Sequence, residues 1–336
     1  MKNLIQKLVE TAGPSGFETE IRKVVRDEIT AFSDEIRVDN LGNLIAVKGN
    51  SSPDRKKLML ASHLDEIGIM ATHIDEAGFI RFLPIGGVSP LTCLGGRVKF
   101  LSGATGVIGV ERLNSGKAPT MSQLFIDTGC QSRKDCAVKV GDVAVFERPF
   151  SDLGNRLVSK AMDDRISVAI MIETLRQLSE SGVELPYQVF FVFSVQEEVG
   201  TRGATTAAFS IEPDLGLAMD VTATGDTPKG LKMEVSLSHG PAIKVRDQGN
   251  ISDPRLVNWM IRTAEKAHLP FQLEVLERGG TDARAIQLSR AGVPAGCLSI
   301  PCRYIHSPSE MVDFQDVENA VRLLVALLQH PIDLGT

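Results

Sequence analysis

The chain has 336 residues, 43% of them hydrophobic and 23% charged, with 42 acidic against 36 basic side chains and a formal net charge of −6. This apolar content supports a sizeable core and excludes a disordered chain, and the length exceeds one ordinary domain. An acidic balance with no basic stripe and no polybasic segment excludes a nucleic-acid binder and a membrane-surface protein.

The chain opens as helix, turn, helix. Leu4, Leu8 and Val9 share a face, Gly13-Pro14-Ser15-Gly16 interrupts it, and Ile21, Val24, Val25 and Ile29 resume the period. This start is amphipathic, so no signal peptide is expected, and no apolar run later in the chain is long enough to span a membrane. Strands are predicted at 36–38, 44–47 and 57–61, with residues 39–43 turning between the first two. Short β-rich runs at 79–83, 96–101, 105–110 and 141–146 then alternate with glycine turns and no strong helical period. They predict a small β domain, a barrel or a sandwich, inserted over residues 68–158. An α/β rhythm returns afterwards. Helices are predicted over 163–179, 254–268 and 314–328, and strands buried on both faces over 188–195, 215–219 and 295–300. The expected fold class is α/β, with a mostly parallel central sheet covered by helices and an inserted small β-barrel. The helix-covered domain is discontinuous, built from residues 1–67 and 159–336. The cysteines Cys93, Cys130, Cys136, Cys297 and Cys302 are odd in number, widely spaced and without a Cys-x-x-Cys. They argue against a disulfide framework and for a reducing cytoplasm.

Chemistry gathers at the ends of the predicted strands. The run from Lys57 closes on His63-Leu64-Asp65, and period-two geometry puts His63 and Asp65 on one side. A metal-bound His needs its second ring nitrogen held by an acceptor, so the pair reads either as a ligand with its orienting carboxylate or as a surface turn. Strand 188–195 leads to Glu197 and Glu198, at the edge where open α/β sheets bind ligands. Adjacent side chains face different ways, so one carboxylate can hold a metal while the other faces a water. Strand 215–219 ends in Asp220, and His306 follows strand 295–300. Asp163 or Asp164, ahead of a helix, either caps it or bridges metals. Thr281 and Asp282 either cap the next helix or face a substrate. This set of His, Asp and Glu without sulfur suits Zn²⁺, Co²⁺ or Mn²⁺. His73, His239, His268 and His330 lie outside these motifs and read as surface or structural.

In chain order, His63-Leu-Asp65-Glu66-Ile-Gly68, Lys160-Ala-Met-Asp163-Asp164-Arg165, Glu197-Glu198-Val-Gly200 and Arg303-Tyr-Ile-His306-Ser307-Pro308 resemble the tetrahedral (TET) metallo-aminopeptidases. These are glutamyl and deblocking enzymes, some of which carry an endoglucanase label. Gly13-Pro14-Ser15-Gly16 and Gly279-Gly280-Thr281-Asp282 are similar too, and the likeness covers essentially the whole chain. The resemblance implies an aminopeptidase with two divalent metal ions, Zn, Co or Mn, acting on short peptides. Asp163 would bridge the ions, Glu198 and His306 would complete one site, and His63 and Asp220 the other. Glu197 would be the general base, Asp65 would orient His63, and Gly280 and Thr281 would face substrate. A cis Asp163–Asp164 peptide is also implied, as are homodimers through the insertion and a tetrahedral dodecamer. The chain departs from the pattern at Ser159 and Arg284, where glycine is common in relatives, and Arg284 bears on the substrate pocket. Two rival readings are a glycosidase and a non-catalytic assembly subunit. One Trp and two Tyr give a glycosidase few stacking platforms, and the complete ligand set argues against a non-catalytic role.

Overall fold

The computed structural model describes residues 1–52, 54–113 and 117–332. Helices α1 (Lys2–Glu10) and α2 (Thr19–Ile29) precede strands β1 (Glu35–Val38), β2 (Leu44–Lys48) and β3 (Lys57–His63). Next come β4 (Gly68–Ile74), β5 (Ile80–Ile85), the single turn α3 (Pro90–Cys93), β6 (Arg97–Phe100), β7 (Thr105–Val110), β8 (Leu124–Asp127) and β9 (Val143–Phe146). The chain continues with β10 (Ser151–Asp152), β11 (Arg156–Ser159), α4 (Met162–Ser181), β12 (Gln188–Ser194), α5 (Arg202–Ile211) and β13 (Leu215–Thr222). It closes with β14 (Ala242–Arg246), α6 (Pro254–Lys266), β15 (Gln272–Val275), α7 (Asp282–Gln287), β16 (Ala295–Arg303), β17 (Glu310–Asp313) and α8 (Phe314–Gln329).

Strands β4 to β9 close into a six-stranded antiparallel barrel in the order β4-β5-β8-β7-β6-β9. Alternate side chains, among them Ile69, Ile80, Val98, Phe100, Ile108, Ile126 and Phe146, fill it as a core of its own. The remaining strands form one 11-stranded mixed sheet. Its centre, β12-β3-β13-β16, is parallel, whereas β1, β2, β17, β11 and β10 are added antiparallel at the flanks. The parallel part is thus narrower than sequence suggests, because the short flanking strands give no sign of their direction. Within the segment expected as the insertion, residues 68–146 carry the barrel strands, while β10 and β11 pair into the large sheet.

The central strands are buried on both faces, as their continuous apolar runs require. In β12, Val189, Phe191 and Phe193 join one cluster with Leu58, Leu60 and residues of α1, α2, α4 and α8. Phe190 and Val192 join another with Met59, Ala61 and the alanines of α5. Helix α5 escaped the sequence reading because Ala204, Ala207 and Ala208, rather than large side chains, form its buried face.

Beside the parallel strands lies a buried ion pair. The Lys244 ammonium on β14 contacts the Glu274 carboxylate on β15, with both side chains wholly buried. Thr222 Oγ1 donates to Glu274 at 2.6 Å, and Asp247 lies 4.0 Å from the ammonium. Removing one member of such a pair strands a buried charge, at a cost of about 3–5 kcal/mol. Lys244→Met should therefore lower unfolding stability by about that amount in urea titration, and Lys244→Met with Glu274→Leu should recover part of it. A loss below about 1 kcal/mol would mean that the pair is not needed.

Candidate metal centre

The parallel strands bring their carboxyl ends together. His63 ends β3 in register with Ser194, which ends β12, and Asp220 lies two residues before the end of β13. Glu197 and Glu198 follow β12, His306 follows β16, and Asp163 opens α4. Two groups of donors converge closely enough to hold a metal ion: His63, Asp163 and Glu198, and His63, Asp164 and Asp220. His63 Nε2 is 3.0 Å from Asp163 Oδ1 and 4.0 Å from Asp220 Oδ1. His306 Nε2 is 3.3 Å from Asp163 Oδ2 and 3.1 Å from Glu198 Oε2. Asp163 therefore stands between the two histidines, one carboxylate oxygen to each. The Asp163–Asp164 peptide is cis. Neither aspartate caps α4, whose first residue follows Ala161 without a side-chain cap. His63, Asp163, Glu198, Asp220 and His306 line one cleft, together with Glu197, Gly280, Thr281 and Arg284, whereas Asp164 does not.

Burial dominates the electrostatics. It pushes Glu197, Asp220 and Asp164 well above the usual carboxylate range, and neighbouring like charges add to the shift. Glu198 is raised by burial and by Asp163. Burial also acts on Asp163, but hydrogen bonds from His306 and His63 outweigh it and hold this carboxyl low. The same contacts overcome burial at the histidines, holding His63 well above its ordinary value and His306 at about 11. Glu198 Oε1 and Asp164 Oδ1 are buried without a hydrogen-bond partner. Orphaned carboxylate oxygens beside paired nitrogen donors fit hard or borderline divalent cations, and such ions would relieve the crowding of like charge.

Buried partners position these donors. His63 Nδ1 faces Asp65, 3.1 Å from its carbonyl oxygen and 3.6 Å from its carboxylate. The Asp65 carboxylate also accepts the backbone N–H groups of Glu197 and Glu198 and the Ser15 hydroxyl. Glu310 accepts the N–H groups of Asp163 at 2.9 Å and His306 at 2.8 Å, tying the two segments together. Asp282, pushed up to about 6 by burial, accepts from Ser194 Oγ, while Thr281 rather than Asp282 caps α7. The barrel also reaches the site. A Cβ on Gly87 would lie 2.3 Å from His306 Nδ1, and one on Gly86 would lie 3.1 Å from Glu198 Cβ. Sequence reasoning left Asp164 open and missed Glu310, Gly86 and Gly87. Glu310 carried no sequence signal, and the two glycines read only as turn residues.

The model of one peptidase family matches residues 42–323, and its description is M42 glutamyl aminopeptidase. The chain belongs to the M42 family. It is 38% identical to a lysyl aminopeptidase of Pyrococcus furiosus over 349 aligned positions, covering 98% of each chain. It is 40% identical to the solved structure of an aminopeptidase from Desulfurococcus kamchatkensis, with a TM-score of 0.93 and coverage of 98% and 94%. The Pyrococcus horikoshii TET1 peptidase, described as assembling into a tetrahedron or a large octahedral shell, is 32% identical with a TM-score of 0.88 and coverage of 98% and 99%. The M42 chain is thus an aminopeptidase, a peptide-bond hydrolase of a metallopeptidase family, and its donor clusters fit divalent metals.

Two outcomes follow for the M42 centre. Carboxyls and histidines held above their ordinary values keep protons that a cation must displace. Zn²⁺ binding at pH 7 should therefore release protons, read as a dependence of calorimetric binding enthalpy on the buffer's ionisation enthalpy. An enthalpy independent of buffer would contradict the shifts. Gly87→Ala should push the His306 ring aside and weaken divalent-metal affinity by about 10- to 100-fold, measured by competition with a chromogenic chelator. Unchanged affinity would remove His306 from the ligand set.

Proposed function

We propose that this cleft removes N-terminal residues from short peptides, using two divalent cations, zinc or cobalt with manganese as a third candidate. His63 and Asp220 would hold one cation, Glu198 and His306 the other, and Asp163 both. Such ions acidify a water and polarise the scissile carbonyl. The observation that carries the reading is the position of Glu197. It opens onto the same cleft as the donors and belongs to neither donor group, and unlike His306 it makes no ion pair with Asp163 or Glu198. Burial raises its carboxyl above the usual carboxylate range, the direction a general base needs, and from its place on the cleft it would take a proton from the attacking water and pass it to the departing amine. Asp65, buried behind the cleft, holds His63 and both glutamates in place. Gly280 and Thr281 lie on the cleft wall where a peptide would rest. The exposed Arg284 side chain lines the same wall, and its stem packs on Gly249.

The cleft, about 1450 Å³, gives a sugar little to stack on. Trp259 is 8% exposed and Tyr187 1% exposed, both packed in the core. Among the described residues that line the cleft, the one phenyl ring, Phe209, is covered by the Arg290 guanidinium at 3.6 Å, and the exposed Tyr304 is not among them. This disfavours a glycosidase.

Self-association is part of the proposal: homodimers through the barrel, and from them a tetrahedral dodecamer. It is supported by the kinship with the P. horikoshii shell and by large apolar side chains exposed on the barrel, Leu83, Leu91, Val107 and Val140. Among the described residues no helix is long and apolar enough to cross a membrane. Five free thiols agree with the expected cytoplasmic setting.

The test is a panel of aminoacyl chromogenic substrates on the metal-loaded protein, with a chelated control and Glu197→Gln. The variant should keep its metal and lose turnover by about 10²- to 10⁴-fold. Retention of most activity would remove Glu197 as the base, and turnover that survives chelation would point away from a metallopeptidase.

A further inference from the structure

The segment that carries Glu197 and Glu198 is held by side chains from elsewhere in the chain. Four consecutive backbone N–H groups leave β12 and its loop. Val195 donates to Asn43 Oδ1 at 3.0 Å, Gln196 to Glu18 Oε1 at 3.2 Å, Glu197 to Asp65 Oδ1 at 3.0 Å and Glu198 to Asp65 Oδ2 at 3.2 Å. Each acceptor is a side-chain oxygen, and Asn43, Glu18 and Asp65 are all at most 4% exposed. The backbone has already turned out of the sheet, with Gln196 at φ +56°. A ladder partner therefore no longer fixes its course, and the acceptors take that role.

One of these contacts, that of Glu18, comes from the amino-terminal turn, and a second side chain of the turn, Ser15, braces the Asp65 carboxylate that makes two others. Glu18 sits ahead of α2 but makes no capping bond to its own helix. It accepts the Gly16 N–H at 2.7 Å and reaches across to Gln196. Ser15 Oγ donates at 2.6 Å to Asp65 Oδ2, the oxygen that also receives the Glu198 N–H. The turn is fixed on its other side as well. Glu66 N–H donates to the Gly13 carbonyl at 3.1 Å, Gly13 N–H returns to Glu66 Oε1 at 3.0 Å, and Pro14 bridges to Glu66. Neither Ser15 nor Glu18 lines the cleft.

We propose that Ser15 and Glu18 are positioning residues for the reaction. They set the path of residues 196–198 and through it the aim of the Glu197 carboxylate. Proton transfer needs the base within hydrogen-bond reach of the attacking water, and a misplacement of about 1 Å can cost about 100-fold in rate. The inference rests on Glu197 being the base, the reading proposed above.

The experiment compares Ser15→Ala, Glu18→Ala and the conservative Ser15→Thr and Glu18→Gln in the full metal-loaded chain, with Glu197→Gln alongside. Both alanine variants should lose kcat by about 10- to 100-fold while KM changes less than about two-fold. Bound metal per chain should match the parent, and hydrogen–deuterium exchange should quicken over residues 195–199. Threonine and glutamine keep the hydroxyl and the carbonyl oxygen, so they should restore most of kcat. Parental kcat in the alanine variants would overturn the proposal, as would a loss that tracks metal content or goes unrescued by the conservative changes. If Glu18→Ala does not fold, Ser15→Ala decides alone. Full activity in Glu197→Gln would instead refute the base assignment, separately from whether the turn matters.

Discussion

Like charges crowd together here where water cannot screen them. Asp163, Asp164, Glu197, Glu198, Asp220 and Asp282 are gathered at one edge of the sheet, the four aspartates buried and the two glutamates half-buried along the cleft. An isolated carboxylate in such a place is expensive, so a group of them survives only if counter-charge is built in around it. Two histidines stand among the acids. The charge of Lys244 favours the ionised form of Asp220, and Lys160 and Arg165 attend Glu66 beside the amino-terminal turn. Arg165 is itself wholly buried and also donates to the carbonyls of Leu64, Leu8 and Thr11. The cluster thus draws on the first helix, the central strands, the long helix α4 and the strands beyond the cleft. Divalent cations would complete that balance.

The sequence made the strand ends legible because each long apolar run stops at a polar residue. His63, Glu197, Glu198, Asp220 and His306 could be marked as residues at one edge of a sheet, and the structure brings them together there. Period-two logic also put His63 and Asp65 on the same side. The choice between Asp163 and Asp164 was not legible, and both prove to lie within reach of His63. Hidden altogether were residues whose importance comes from distant partners. Glu310 joins the Asp163 and His306 backbones, and Glu18 crosses to the loop after β12. A hydrogen bond between residues far apart in the chain leaves no periodic trace. Local propensity explains the other omissions. Small alanines face the core from α5, and β14 and β15 each bury a charged residue, Lys244 and Glu274, that interrupts an apolar strand pattern.

The barrel has its own core but is not independent of the large-sheet half. Its β5 leads into Gly86 and Gly87, which press against Glu198 and the His306 ring, and Gly68 at its entry packs on Pro14. A site assembled between two cores can be tightened or loosened by their relative placement, whereas one inside a single core would follow only that core's packing.

The position of β3 has a consequence for how the chain is made. This strand sits between β12 and β13, which are synthesised long after it, with the whole barrel emerging in between. On a ribosome the barrel's contiguous strands can close first. The apolar β3 must meanwhile wait with both edges unpaired and its two faces uncovered. The same non-local pairing that gathers the carboxylates thus makes the large sheet slow to complete.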